Sequence, residues 1–364
     1  MARKQWLAAG ACAVAVVAGS AVAVSVGSTV AASPADAGAT TSQKIVVDQA
    51  GTGDFTTVQA AVDSIPDGNQ NPVAIVVDPG RYHELVSVPA GKTHITMAGA
   101  TGNPDDVTIT FDNASGTPIP GGGGAGYGTE GSATVTLSAN DFTASGITFE
   151  NAFDPAAHPG VASQAVALRT VADRIAFYRC RFLGRQDTLY LDATSKTDTD
   201  RVYVRDSEIA GTVDFIFGPA TAVFDHDTIN SLGPGGGYVT AASTQLSHPH
   251  GFLFTGSQFV NTNAPDGSYN LGRPWHHLGD TYAVAQVVVR DSVLGSHIKA
   301  EPWTDMAGWS WAAARYYEYH NTGPGASVSL FRPQLSDVEA TRTTPADYLL
   351  GTDRWIPWTY SEGR

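Results

Sequence analysis

The sequence predicts an all-β protein wound as a β-solenoid, and three observations lead there. The first is composition. Charged residues are only 15% of the 364-residue chain, against about a quarter in an average soluble protein, and there are 39 Gly and 20 Pro. A helical bundle or coiled coil would instead be rich in Ala, Glu, Lys and Leu. The second is a recurring strand pattern: alternating apolar residues, a small or polar pair, then a large apolar anchor. It reads FTASGITF (142–149), IAFYRCRF (175–182), VYVRDSEI (202–209), VFDHDTI (223–229), FLFTGSQF (252–259) and VVVRDSVL (287–294). Each copy has the period of two of a half-buried strand. The third is the spacing. The anchors Phe149, Phe182, Ile209, Ile229, Phe259 and Leu294 lie 33, 27, 20, 30 and 35 residues apart. A constant local pattern with variable insertions is how stacked coils read, whereas sandwich strands come every 8–12 residues or so.

From the N-terminus, Arg3 and Lys4 precede an uncharged run that lasts until Asp36. With small residues at Val30-Ala31-Ala32 and Ala35-Asp36-Ala37, it reads as a secretory signal cut after about residues 32–37. A membrane anchor is the alternative, since the run is long enough to span a bilayer. Small residues favour cleavage, which leaves one domain over residues 38–364. Cys12 departs with the signal, so Cys180 has no partner within the chain. A secreted chain without disulfides must rest on a large apolar core, and its 42% apolar residues allow one while excluding disorder.

Phe55–Ile65 is expected to form a short helix capping the N-terminal end of the solenoid, with Asp54 as N-cap. The glycines at 121–124, within 113–131, mark a surface loop. No Lys-Ser/Thr follows them, so they are not a phosphate loop. The residue two before the anchor is Cys180, Ser207, Ser257 or Ser292 in four copies. This makes Cys180 a small member of an internal ladder, not a catalytic thiol. Beyond about Val328, the segment ending in Trp355-Ile-Pro-Trp358 is expected to pack along the side of the solenoid.

The repeat also places chemistry. Asp187 and Asp214 each lie five residues after an anchor, Phe182 and Ile209. Equivalent positions on adjacent coils stack about 4.8 Å apart. Two carboxylates that close do not both ionise easily, which suits one nucleophile or base and one general acid. Solvated loop aspartates are the bland alternative, and the neighbours weigh against it. Gln186 places an amide beside Asp187, and Asp214 sits in the apolar run DFIFG. A charge there wants a cation, and Arg273 in LGRPW is the candidate. Gln164, ahead of an expected strand 165–168, offers another neutral donor.

At these residues the sequence resembles the pectin methylesterases. The motifs are GRYHE (80–84), QAVALR (164–169), GRQDTLY (184–190), GTVDFIFG (211–218) and LGRPW (271–275). The opening VVDQAGTGDFTTVQAAVDSIP (46–66) and the late YYEYHNTGPGA (316–326) are similar too, so the likeness runs from about Lys44 to the C-terminus. It implies a right-handed parallel β-helix and the hydrolysis of galacturonate methyl esters in pectin to methanol and acid. It implies Asp214 as nucleophile, Asp187 as acid then base, Gln164 and Gln186 as oxyanion donors, and Arg273 as the partner of Asp214. Trp275, Tyr190, Phe217 and Thr134 correspond to its substrate-cleft residues.

Phe215 is expected to point inward, opposite Phe217. Trp303 and Trp309 either line the cleft or pack a loop. The ten His form no zinc-like set, so neither metal nor cofactor is expected. The expected partner is methyl-esterified pectin. With a net charge of −14 the chain is no nucleic-acid binder. A secreted, extracellular monomer without stable membrane association is expected. A lyase on the same scaffold, a related thioesterase and a noncatalytic pectin-binding solenoid remain as alternatives.

Overall fold

The apolar alternation resolves into strands that pair only with their equivalents in neighbouring coils. The computed structural model describes residues 43–359; the expected signal segment and Cys12 lie outside them. Among the described residues, parallel strands form three sheets of ten, eight and seven strands. One coil runs through Ile175–Tyr178, Arg181–Leu183 and Leu189–Leu191, and the next through Arg201–Arg205, Glu208–Gly211 and Val213–Gly218. Each of the seven complete coils gives one strand to each sheet, and the coils at the two ends contribute to fewer, which is the parallel β-helix expected.

The repeat fixes the register. Phe149 pairs with Phe182, Phe182 with Ile209, Ile209 with Ile229, Ile229 with Phe259, and Phe259 with Leu294. All six anchors are at most 2% exposed and belong to one continuous core. Phe149 and Phe182 stack at 5.6 Å between ring centroids. Insertions leave this register intact because they lie in loops between strands.

The small residues before the anchors form a hydrogen-bonded ladder. The backbone N–H of Cys180 donates to Ser207 Oγ (3.0 Å) and that of Ser207 to Asp227 Oδ1 (2.7 Å). The series continues from Asp227 to Ser257 Oγ, Ser257 to Ser292 Oγ and Ser292 to Asn321 Oδ1. It therefore satisfies backbone donors at the bends between strands, where a buried N–H would otherwise be orphaned. Cys180 is fully buried, and burial pushes its thiol up to about 12, so the thiolate needed for reactivity is suppressed.

The capping helix is shorter than expected, Val58–Ser64. Its N-cap is Thr57, whose Oγ1 accepts from the Ala60 N–H, while Asp54 instead accepts the Val46 N–H at 2.8 Å. Glu84, the last residue of GRYHE, takes the free Val58 and Gln59 N–H groups at 2.8 and 2.9 Å. Val58, Ala61 and Val62 are buried in the core over the first coil. At the other end of the chain, Trp355 and Trp358 pack with Tyr348 and Leu349 on the outer face of the ten-stranded sheet, against Tyr203 and Val223. Tyr178 anchors this segment by donating its hydroxyl to the Pro357 carbonyl at 2.6 Å.

Candidate active site

Two adjacent coils of the seven-stranded sheet place Asp187 beside Asp214. Leu189 pairs with Ile216 and Tyr190 with Phe217, so Asp187 and Asp214 are equivalent positions. The Asp187 N–H donates to the Val213 carbonyl at 3.0 Å. Both residues adopt left-handed backbone, with φ of 63° and 50°, a region Asp tolerates better than most side chains.

A β-bulge aims Asp214. Its strand pairs Val213 with Tyr238 but Ile216 with Thr240, so one extra residue is accommodated on the Asp214 strand. Bulges bend a strand and redirect side chains. Here Phe215 and Ile216 both enter the core, while Phe217 joins the outer cluster with Tyr190 and Trp275. Gly211 makes room for this turn, since a Cβ there would lie 2.2 Å from Phe215 Cβ.

Arg273 closes on Asp214 as a fork, Nε to Oδ1 at 2.8 Å and Nη2 to Oδ2 at 2.6 Å. The guanidinium carbon sits 3.7 Å from the centroid of Tyr238. Burial raises the Asp214 carboxyl above its ordinary range, while the Arg273 hydrogen bonds and charge pull it back. Asp187 has no such partner. Burial first, and the neighbouring Asp214 second, push its carboxyl well above the carboxylate range. The two groups therefore differ in proton affinity because only one holds a cation in its plane.

Both line a recess of about 290 Å³ together with Gln164, Gln186, Arg273, Phe217 and Trp275. Gln186 Oε1 accepts the Ser163 hydroxyl at 2.9 Å, which leaves its amide N–H groups free to donate. Gln164 lies ahead of a strand that begins at Leu168, later than expected. Phe217 and Trp275 form one wall, and Tyr190 stacks behind Phe217 at 4.3 Å. Tyr190 is only 1% exposed, so it supports that wall from beneath.

Thr134 is a correction. It is fully buried, and its hydroxyl donates to the Glu150 carbonyl at 2.9 Å, so it cannot meet a ligand in the recess. Thr129 lines the recess instead, from within a short helix, Gly128–Gly131, that follows the glycine loop. Met306 also lines it, from a loop that carries no repeat signal. Trp303 packs in the core against Tyr316, and Trp309 stacks on His276 at 3.8 Å. Among the described residues, no group of three or more His, Cys, Asp or Glu is arranged to hold a metal ion.

A family model described as Pectinesterase matches residues 44–352. The chain is 37% identical over 309 residues to a pectinesterase from Ralstonia solanacearum, covering 76% of this chain and 78% of that one. Its fold is similar to that of pectin methylesterase PemA from Erwinia chrysanthemi, with a TM-score of 0.78, 32% identity, and coverage of 88% and 99% of the two chains. A solved pectin methylesterase in complex with a hexasaccharide matches with a TM-score of 0.77 and 31% identity, over 87% of this chain and 99% of that one.

Proposed function

The chain belongs to the pectinesterase family and is an esterase that hydrolyses the methyl esters of pectin; within it we propose that Asp214 is the nucleophile and Asp187 the acid and base. The observation that carries this division of roles is the fork from Arg273, which hydrogen-bonds Asp214 directly and acts on Asp187 only through space, where burial and the neighbouring Asp214 outweigh it.

Asp214 attacks the C6 carbonyl of an esterified galacturonate and forms an acyl-enzyme. Gln164 and Gln186 donate hydrogen bonds to the developing oxyanion, each worth about 3 kcal/mol in such a site. Asp187 protonates the leaving methanol, then removes a proton from the water that hydrolyses the acyl-enzyme. Phe217 and Trp275 shape the cleft, with Tyr190 behind them. The reading includes secretion after cleavage near residues 32–37, one catalytic domain over residues 38–364, and action as a monomer with no lasting membrane attachment and no nucleic-acid partner. The uncharged run after Lys4 supports secretion, and no described helix is long and apolar enough to cross a membrane.

Methanol release from highly esterified pectin, with no shortening of the polymer, tests the reaction; chain cleavage with an unsaturated end would point to a lyase. Arg273→Lys probes the fork. Lysine keeps the charge but presents a single point of contact. Losing one charge-assisted bond, about 1.5–3 kcal/mol, is expected to lower kcat roughly 10- to 100-fold with little change in KM. A change confined to KM would place Arg273 in substrate binding instead.

A further inference from the structure

Trp309 belongs neither to the apolar core nor to the lining of the catalytic recess. It closes a tight hairpin, Met306-Ala307-Gly308-Trp309, in which the Met306 N–H donates to the Trp309 carbonyl at 3.1 Å and the Trp309 N–H to the Met306 carbonyl at 2.9 Å. Ala307 and Gly308 both take left-handed backbone, with φ of 50° and 86°. A two-residue turn of this kind prefers Asn-Gly or Gly-Gly, and Ala is a poor first member. A hairpin this short does not hold itself in water. Its position therefore depends on what it leans against.

It leans on the segment that carries Arg273. The Trp309 ring stacks on His276 at 3.8 Å between centroids and 13° between planes. His276 is itself fixed, since its Nδ1–H donates to the Asp280 carbonyl at 2.7 Å. The next residue, His277, stacks on Trp275 at 4.4 Å. At its base the hairpin meets the same segment, where the Thr304 N–H donates to the Gly272 carbonyl at 3.2 Å. The His276–Trp309 stack thus joins two walls of the catalytic recess, one bearing Arg273 and Trp275 and the other bearing Met306.

Met306 needs such a fixed base. An unbranched, flexible thioether fills space well but specifies its own position poorly. In the reaction above, Asp187 protonates the ester oxygen that departs. The alkyl group on that oxygen therefore lies in the recess that Asp187 and Met306 both line. Holding Met306 in place limits the room for that group.

We propose that Trp309, by stacking on His276, is a positioning residue that holds Met306 at the recess and so sets the size of the alkyl ester accepted. The inference rests on the esterase reading and adds to it a source of selection on the alcohol side of the ester.

The test measures alcohol release from two polygalacturonates of matched length and degree of esterification, one a methyl and one an ethyl ester. Trp309→Ala is expected to lower kcat/KM on the methyl ester about three- to tenfold, the size of one aromatic pair, and to raise the ethyl-to-methyl ratio by a similar factor. His276→Ala should do the same, and the two together should do no more. Trp309→Phe keeps an aromatic face and should restore both values. In a Met306→Ala background, Trp309→Ala should leave the ratio where Met306→Ala puts it, because residues that act through one another are not additive. A merely structural hairpin would slow both esters alike. An unchanged ratio in Trp309→Ala, the same change with or without Met306, or a Trp309→Phe protein as altered as Trp309→Ala overturns the proposal while methanol release persists. If the unmodified protein released alcohol from neither ester, the esterase reading itself would fall.

Discussion

Asp214→Asn is expected to lower methanol release at least about 10⁴-fold, the scale seen when a covalent nucleophile is removed. The amide has nearly the same size and keeps one oxygen for Arg273, so the strand Val213–Gly218 and its bulge have no reason to move. What is lost is the attacking carboxylate. The remaining amide nitrogen is not nucleophilic and would face an arginine N–H. Arg273 is about one-fifth exposed, so water can meet the donor set free. Stability should therefore change far less than rate. Thermal unfolding and binding of esterified pectin, both measured on the variant, separate the two effects. A rate within tenfold of the unmodified protein would remove Asp214 from the mechanism.

Asp187→Asn is expected to be the second most damaging change, costing about 10²- to 10⁴-fold in kcat. Methoxide is a poor leaving group, and the amide cannot deliver a proton to it. The pH dependence should carry the signature. In the unmodified protein, activity falls on acidification as Asp214 protonates, and on alkalinisation as Asp187 ionises. Because Asp187 lies well above the usual carboxylate range, the alkaline limb belongs to it. Asp187→Asn should erase that limb and keep the acidic one. If the alkaline limb survives, another group supplies the proton.

The fold was legible because the anchors are both buried and repeated. Phe182 and Ile209 announce their own register, and the register alone brings Asp187 beside Asp214. The same logic revealed the ladder at Cys180 and Ser207, but it passed over Asp227 and Asn321, whose polar side chains looked unlike the small ones. The bulge at Asp214 was hidden because it arises from Phe215 turning into the space over Gly211, a contact with no sequence period. Thr129, in a short helix, and Met306, in a loop, reach the recess from segments outside the repeat, so no spacing points to them. Trp303 could not be told from Trp309 by composition. The parallel bridge from Trp303 to Gly272 draws it inward, where a Cβ on Gly272 would already approach its ring to 3.1 Å.

The account stands on two stacked carboxylates with unequal protons, and carboxyl-¹³C NMR titration measures that directly. Aspartate carboxyl resonances of the unmodified protein would be followed with pH and assigned by their loss in Asp187→Asn and Asp214→Asn. At the pH of activity, Asp187 is expected to resonate as a protonated acid and Asp214 as a carboxylate, with Asp187 titrating at the higher pH. Finding Asp214 protonated and Asp187 ionised, or both ionised while the enzyme turns over, would contradict it.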